Sequence, residues 1–261
     1  MNKWLSNNYL AVISILLVFV VWQAIFNALS IPAIVLPSPS SVILVIIHKA
    51  SLLLNYTLIT AYETIVGFVL GSIIAVAIAM ILSLSAKASS ALFPIILFFQ
   101  SVPKIAIAPL LIIWLGFGIM PKVAIAILVS FFPVVVNMVA GLNDIPPEIL
   151  ILARSFSSRK LDTLLRVRFP SSMPYLFAGL KVAVTLAVIG AIVGEFAAST
   201  GGLGYLILVS SQELDPALGF ASLVVLTIFA IVLYGAVGLA ERFFVRWHVS
   251  MREISAGREV G

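Results

Sequence analysis

The chain has 261 residues, of which 62% are hydrophobic and only 10% charged, with a formal net charge of +5. A soluble domain carries about 25% charged residues, and one of this length has no way to hide so much apolar surface, so the composition excludes a soluble enzyme and points to a polytopic membrane protein. The absence of cysteine excludes a disulfide framework, a thiolate metal site and a thiol redox motif.

Taken in order, Leu10–Leu29 reads as a first span, with Trp22 as an interfacial anchor near its far end. A cleaved signal peptide is the alternative for this stretch, but the apolar run exceeds the usual h-region of roughly 7–15 residues. Pro32, Pro37 and Pro39 make the next stretch irregular. Val42–Leu54 reads as an amphipathic surface helix with His48 and Lys49 on its wet side. Leu58–Leu84 is the second span, in which Gly67 and Gly71 form a GxxxG strip that lets another helix approach closely. A short loop around Lys87 leads to the third span, Leu92–Leu115, interrupted by Pro94, Pro103 and Pro109 and carrying Gln100 and Lys104. Backbone groups freed by proline in lipid must be buried in protein or face a wet cavity.

Gly116–Lys122 reads as a tight turn and Val123–Leu142 as the fourth span, with Pro133 and Asn137. The fifth span is Tyr175–Ala198, with Lys181 near its start and Glu195 near its end. A Gly-rich loop, Ser199–Asp215, precedes the sixth span, Pro216–Ala240. The expected fold class is therefore all-α integral membrane, one transmembrane domain over residues 1–261 with six spans of about 20 residues each.

The longest polar interruption, residues 143–174, lies between the fourth and fifth spans and holds five of the fifteen Lys/Arg: Arg154, Arg159, Lys160, Arg166 and Arg168. Ile149, Leu152, Ala153 and Phe156, then Leu161, Leu164 and Leu165, recur at spacings of three and four. This predicts two short amphipathic helices joined at Ser157–Ser158, more pattern than a plain connection needs, and so a surface gripped by another protein. With the N-terminus inside, twelve of the fifteen Lys/Arg fall on inner segments and two on outer ones. That asymmetry places both termini and the 143–174 loop in the cytoplasm.

No Gly-Lys dipeptide exists for a phosphate-binding loop, and His48 and His248 have no partner motif for a metal. The chain itself is expected to hold no cofactor and to hydrolyse no ATP.

Lys104 is the sharpest candidate for a solute pathway, because an ionisable group inside a span is costly and functional by default; its plain alternative is snorkelling to the surface. Gln100, Asn137 and Glu195 complete the candidate pathway set. Gln100 and Asn137 can equally be interhelical hydrogen bonders, and Glu195, like Glu63, a solvated helix end.

The 143–174 loop resembles the cytoplasmic "EAA" loop of binding-protein-dependent ABC importer permeases. Ala153-Arg154-Ser155-Phe156 is followed after twelve residues by Phe169-Pro170. Ile151 stands at the family's glutamate, Leu152 at its first alanine and Ser157 at its glycine. LPSPSSVI, VPKIAIAPLLIIWLGFG, AGLKVA, and VGEF followed by GGLGYLI are similar to the nitrate/sulfonate/taurine branch of these permeases.

The resemblance implies the MetI-like fold of type I importers, in a bacterial or archaeal inner membrane. It implies a dimer of permease copies and two cytoplasmic ATPase subunits that bind ATP and Mg. A periplasmic or lipid-anchored substrate-binding protein would deliver a small anionic or aromatic solute. It assigns Ile151, Ala153, Arg154, Ser155, Phe156, Ser157, Ser158 and Arg159 to the ATPase contact. An ion-coupled secondary transporter is the alternative; it would carry inverted repeats and paired carboxylates near the midplane, and neither is legible in the sequence.

Overall fold

A computed structural model describes residues 3–29, 32, 34–155 and 159–245. Its elements in order are α1 (Lys3–Leu29), α2 (Pro39–His48), α3 (Ala50–Leu84), α4 (Ala86–Gln100), α5 (Lys104–Leu115), α6 (Ile119–Asn143), α7 (Pro147–Ser155), α8 (Lys160–Thr163), a π-helical turn (Leu164–Arg168), α9 (Phe169–Ala198), α10 (Leu203–Gln212) and α11 (Pro216–Phe244). No strand occurs among the described residues. Among them, four helical stretches are long and apolar enough to cross a membrane, or five if the bent pair α4 and α5 counts as one. The predicted first span lies within α1.

The chain divides into two compact units, residues 1–59 with 201–227, and residues 60–200 with 228–261. In the first, α2 starts on a serine cap: Ser38 Oγ accepts from Ser41 N at 3.1 Å, with Pro39 at the first helical position. Asp215 caps α11 by accepting from Leu218 N at 3.1 Å, and also meets Lys49 at 3.3 Å. Tyr56 stacks on Tyr205, and Trp22 meets Phe220.

The second unit is built on α6. Its apolar window is 61% buried, against 6% for that of α11, so α6 is the hub. Small residues on both neighbours let their backbones close on it. A Cβ on Gly67 of α3 would come within 2.3 Å of the Ala126 Cβ, and one on Gly71 within 2.3 Å of Ser130 Oγ. From α9, a Cβ on Gly190 would meet Val129 at 2.6 Å, and one on Gly194 would meet the Lys122 backbone at 2.9 Å. Toward the other end, Ala75, Ala79, Val134, Met138, Leu142 and Leu176 form a continuous buried core.

Several predicted boundaries move. The third span is not straight: α4 and α5 meet at 92°. Pro103 has no N–H to donate and sits in extended backbone (φ −65°, ψ 94°), which ends α4 and starts α5 afresh. The predicted loop at Lys87 is the first turn of α4, capped by Ser85, which accepts from Ala88 N at 3.3 Å. The predicted surface helix over 42–54 is split at Lys49: α2 ends before it and α3 begins after it, eight residues ahead of the predicted second span. The tight turn shortens to Gly116–Gly118, where both glycines hold positive φ (77° and 125°). The Gly-rich loop contains α10.

The second amphipathic helix of the 143–174 loop is not separate. Residues 160–197 form one helical stretch. Pro170 cannot donate to the carbonyl four residues back, and the chain absorbs this with a π turn in which Phe169 N bonds Leu164 O. The predicted joint at Ser157–Ser158 lies outside the described residues.

The packing generates a prediction. Gly67→Val and Gly190→Val should each cost about 1–3 kcal/mol through overpacking, lowering the melting temperature of the purified chain in detergent. Gly235→Ala, whose Cβ would meet nothing within 4 Å, should not lower it. A Gly67→Val protein that melts with the wild type would mean that α3 and α6 do not cross there.

Candidate functional site

Three groups of side chains stand out. The first is the segment between α6 and α9. Glu148 lies in the first turn of α7, where it complements the helix dipole. Ile151 and Leu152 are 65% and 59% exposed, so this short helix offers an apolar face without a neighbour among the described residues of its unit. Ser155 turns back onto its own helix, donating to Leu152 O at 2.7 Å. Arg159 is exposed, and its carbonyl accepts from Thr163 N at 3.0 Å, opening α8. Ala153 is half-buried. Phe156, Ser157, Ser158 and the side chain of Arg154 lie outside the described residues. At the base of the segment, Tyr175 of α9 hydrogen-bonds Asp144, the residue that ends α6. Tyr175 is seated there because Gly141 has no side chain to block it.

The second group is the bend. Lys104 Nζ donates to Gln100 O at 2.5 Å and lies 4.8 Å from the centre of the Phe132 ring on α6. The ammonium thus satisfies a carbonyl orphaned at the end of α4 and gains a cation–π contact. Gln100 and Lys104 are brought together; the Gln100 side chain is exposed. Asn137 donates to Pro133 O at 2.8 Å within its own helix, so its expected interhelical bond is replaced by a local one at the proline.

The third group was not assembled by the sequence. Glu63 of α3, Lys122 of α6 and Glu195 of α9 are 0%, 5% and 0% exposed. Lys122 forms an ion pair with Glu63 and donates to Ser199 Oγ at 3.0 Å. Thr60 Oγ1 donates to Glu195 Oε1 at 2.6 Å. The expected solvated helix ends are therefore a buried polar tie. Glu195, read as a pathway candidate, is enclosed by helices and does not border open space. Lys122 and Glu195 sit within about one turn of the ends of α6 and α9, whereas Asn143 lies about 31 Å further along α6 by helical rise. The tie and the α7 segment thus occupy opposite ends of this unit.

Residues 67–248 match the family model for the binding-protein-dependent transport system inner membrane component. The chain belongs to this family. The permease is 36% identical over 241 residues to a probable ABC transporter permease protein of Haemophilus influenzae, covering 92% of this chain and 97% of that one. It is also 36% identical over 240 residues to the riboflavin transport system permease protein of Chloroflexus aurantiacus, covering 91% and 90% of the two chains. In fold, it is similar to a chain of the MetNI methionine ABC transporter solved in inward facing conformations, with a TM-score of 0.67 at 18% identity over 75% of this chain and 97% of that chain. The MetI-like expectation is met. The permease is a multi-pass membrane component of an ABC importer, and nothing in these likenesses favours an ion-coupled carrier.

The buried tie makes its own prediction. Lys122→Met leaves the enclosed Glu63 carboxyl without its cation and should cost about 3–5 kcal/mol. Adding Glu63→Gln should recover most of that loss. Thermal melting of the two variants checks this; equal melting of the single variant and wild type would contradict the enclosed ion pair.

Proposed function

We propose that this permease carries a small anionic or aromatic solute, driven by ATP hydrolysed on a separate subunit that pushes on α7. What carries the reading is the continuous helical stretch 160–197, which starts beside the exposed face of α7 and runs to Glu195 and the polar tie. A partner that accepts Ile151 and Leu152 in a groove, as an amphipathic helix is accepted, gains a handle on the whole of α9. Ala153, Arg154, Ser155, Phe156, Ser157, Ser158 and Arg159 complete the proposed contact. The chain has no P-loop dipeptide, so in this reading ATP and Mg belong to two ATPase subunits and the permease itself holds no cofactor.

Six spans with both termini and the 143–174 segment in the cytoplasm satisfy the Lys/Arg asymmetry. A second copy of the permease would complete the pathway, and a substrate-binding protein would deliver the solute from outside. Two features support this solute class. A relative is named for riboflavin transport, and the bend places Lys104 with Gln100 at a break in the membrane-spanning helices, with Asn137 on the adjoining α6. Alternating access then requires the solute to bind the two states with different affinity.

The test is coupling. Arg154→Gln with Phe156→Ala should lower solute-stimulated uptake by the reconstituted complex about tenfold, equivalent to about 1.4 kcal/mol of coupling, while membrane insertion is unchanged. Wild-type uptake by that double variant would reject the assignment.

A further inference from the structure

A cavity of about 430 Å³ lies at the α7 end of the second unit, between the end of α3, the start of α4, the end of α6 and the helix that leads into α9. This volume is within the roughly 300–1,000 Å³ of ordinary small-molecule sites. Its polar wall holds two cations, Lys160 and Arg168, and the hydroxyls of Ser83, Ser89, Ser90 and Thr163. Its floor is apolar: Leu82 and Leu164 are each 2% exposed. No carboxylate lines it. The nearby acids do not neutralise its cations: Asp162, two residues from Lys160, and Glu148 do not line the cavity, Asp144 is engaged by Tyr175, and among the described residues no ion pair involves Lys160 or Arg168. Arg168 makes one long hydrogen bond, to Ser83 O at 3.5 Å, which leaves most of its guanidinium fork unused.

We propose that this cavity binds a phosphate group, carried either by an anionic phospholipid or by a soluble phosphate. A planar guanidinium, an ammonium and the hydroxyls of Ser89 and Ser90 around one opening suit a phosphate more than a carboxylate or a neutral sugar; the Ser83 and Thr163 hydroxyls already donate to Met80 O and Arg159 O. Basic pockets between membrane helices near the bilayer surface receive lipid headgroups in this way, and the leucine floor suits the glycerol end of a lipid. The occupant would bridge Ser89 of α4 and Arg168 in the π turn. Resting on the coupling proposed above, its occupancy would give phosphate-bearing molecules a hold on the helix that leads into α9.

Native mass spectrometry of the full-length detergent-solubilised chain tests the lipid arm, with phosphatidylglycerol or phosphatidylcholine as the probe. Thermal melting in millimolar inorganic phosphate tests the soluble arm. The wild type should retain phosphatidylglycerol about tenfold better than phosphatidylcholine, a preference worth about 1.4 kcal/mol, and Lys160→Gln with Arg168→Gln should abolish that preference. Arg242→Gln, a basic residue of α11 outside the cavity, should keep it. If phosphate raises the melting temperature of the wild type but not of the double variant, and the lipid shows no preference, the site takes soluble phosphate. Ser89→Asp, which leaves both cations in place and adds a repelling charge, should reproduce the loss and separates binding from misfolding. Equal retention of both lipids by the wild type together with no response to phosphate, or binding undiminished in the double variant, overturns the proposal.

Discussion

Helices surrounded by lipid gain little by exchanging lipid for one another, so their association depends on close backbone approach and on polar ties. The α3, α6 and α9 trio uses both. Gly67, Gly71, Gly190 and Gly194 remove the side chains that would hold the helices apart. Glu63, Lys122, Glu195 and Thr60 then form a tie enclosed at one end. The two devices need each other. Lys122 is pressed against α9 only because position 194 is a glycine, and the buried charges are tolerable only because the close approach brings their partners within reach. Other features of the second unit hang from this trio, including the bend propped by Lys104 on Phe132 and the α7 segment anchored by Tyr175 and Asp144.

The helix that leads into and includes α9 is continuous over most of its length. From Lys160 to Ala197 the chain is one helical stretch, bent to its path by a π turn and not broken by Pro170 or Pro174. It is held close along α6 by glycines at 179, 190 and 194, the rigidity that the proposed coupling requires. The α11 helix, whose apolar window is only 6% buried, supplies little of that rigidity and leaves surface for lipid or a second copy.

Much of this was legible in the sequence because hydropathy and periodicity are local signals. Composition defined the class, apolar runs located the long helices, the spacing of Ile149, Leu152 and Ala153 marked α7, and the Gly67/Gly71 pair marked a crossing. What escaped needed partners distant in the chain. Glu63 and Glu195 each look like a helix end in contact with water until Lys122, 59 residues from one and 73 from the other, is folded between them. The 92° bend also escaped, because three prolines in one apolar run do not say which of them breaks it. Pro94 and Pro109 sit inside helices, and only Pro103 ends one. The second half of the 143–174 segment was misjudged for a related reason: proline at the start of a helix looks like a terminator, whereas Pro170 lies in the first turn of α9 with a π turn before it.

The central claim is that α6 and α9 move as one body when the ATPase pushes on α7. The chain has no cysteine, so Met120→Cys, Ala197→Cys and Ser155→Cys offer clean positions for spin labels, and all three residues are exposed. Distances measured by double electron–electron resonance in the assembled transporter, with and without bound ATP, decide the matter. The account predicts that the 120–197 distance within one copy stays fixed while the distance between the 155 positions of the two copies changes. A 120–197 distance that shifts as much as the 155–155 distance would contradict it.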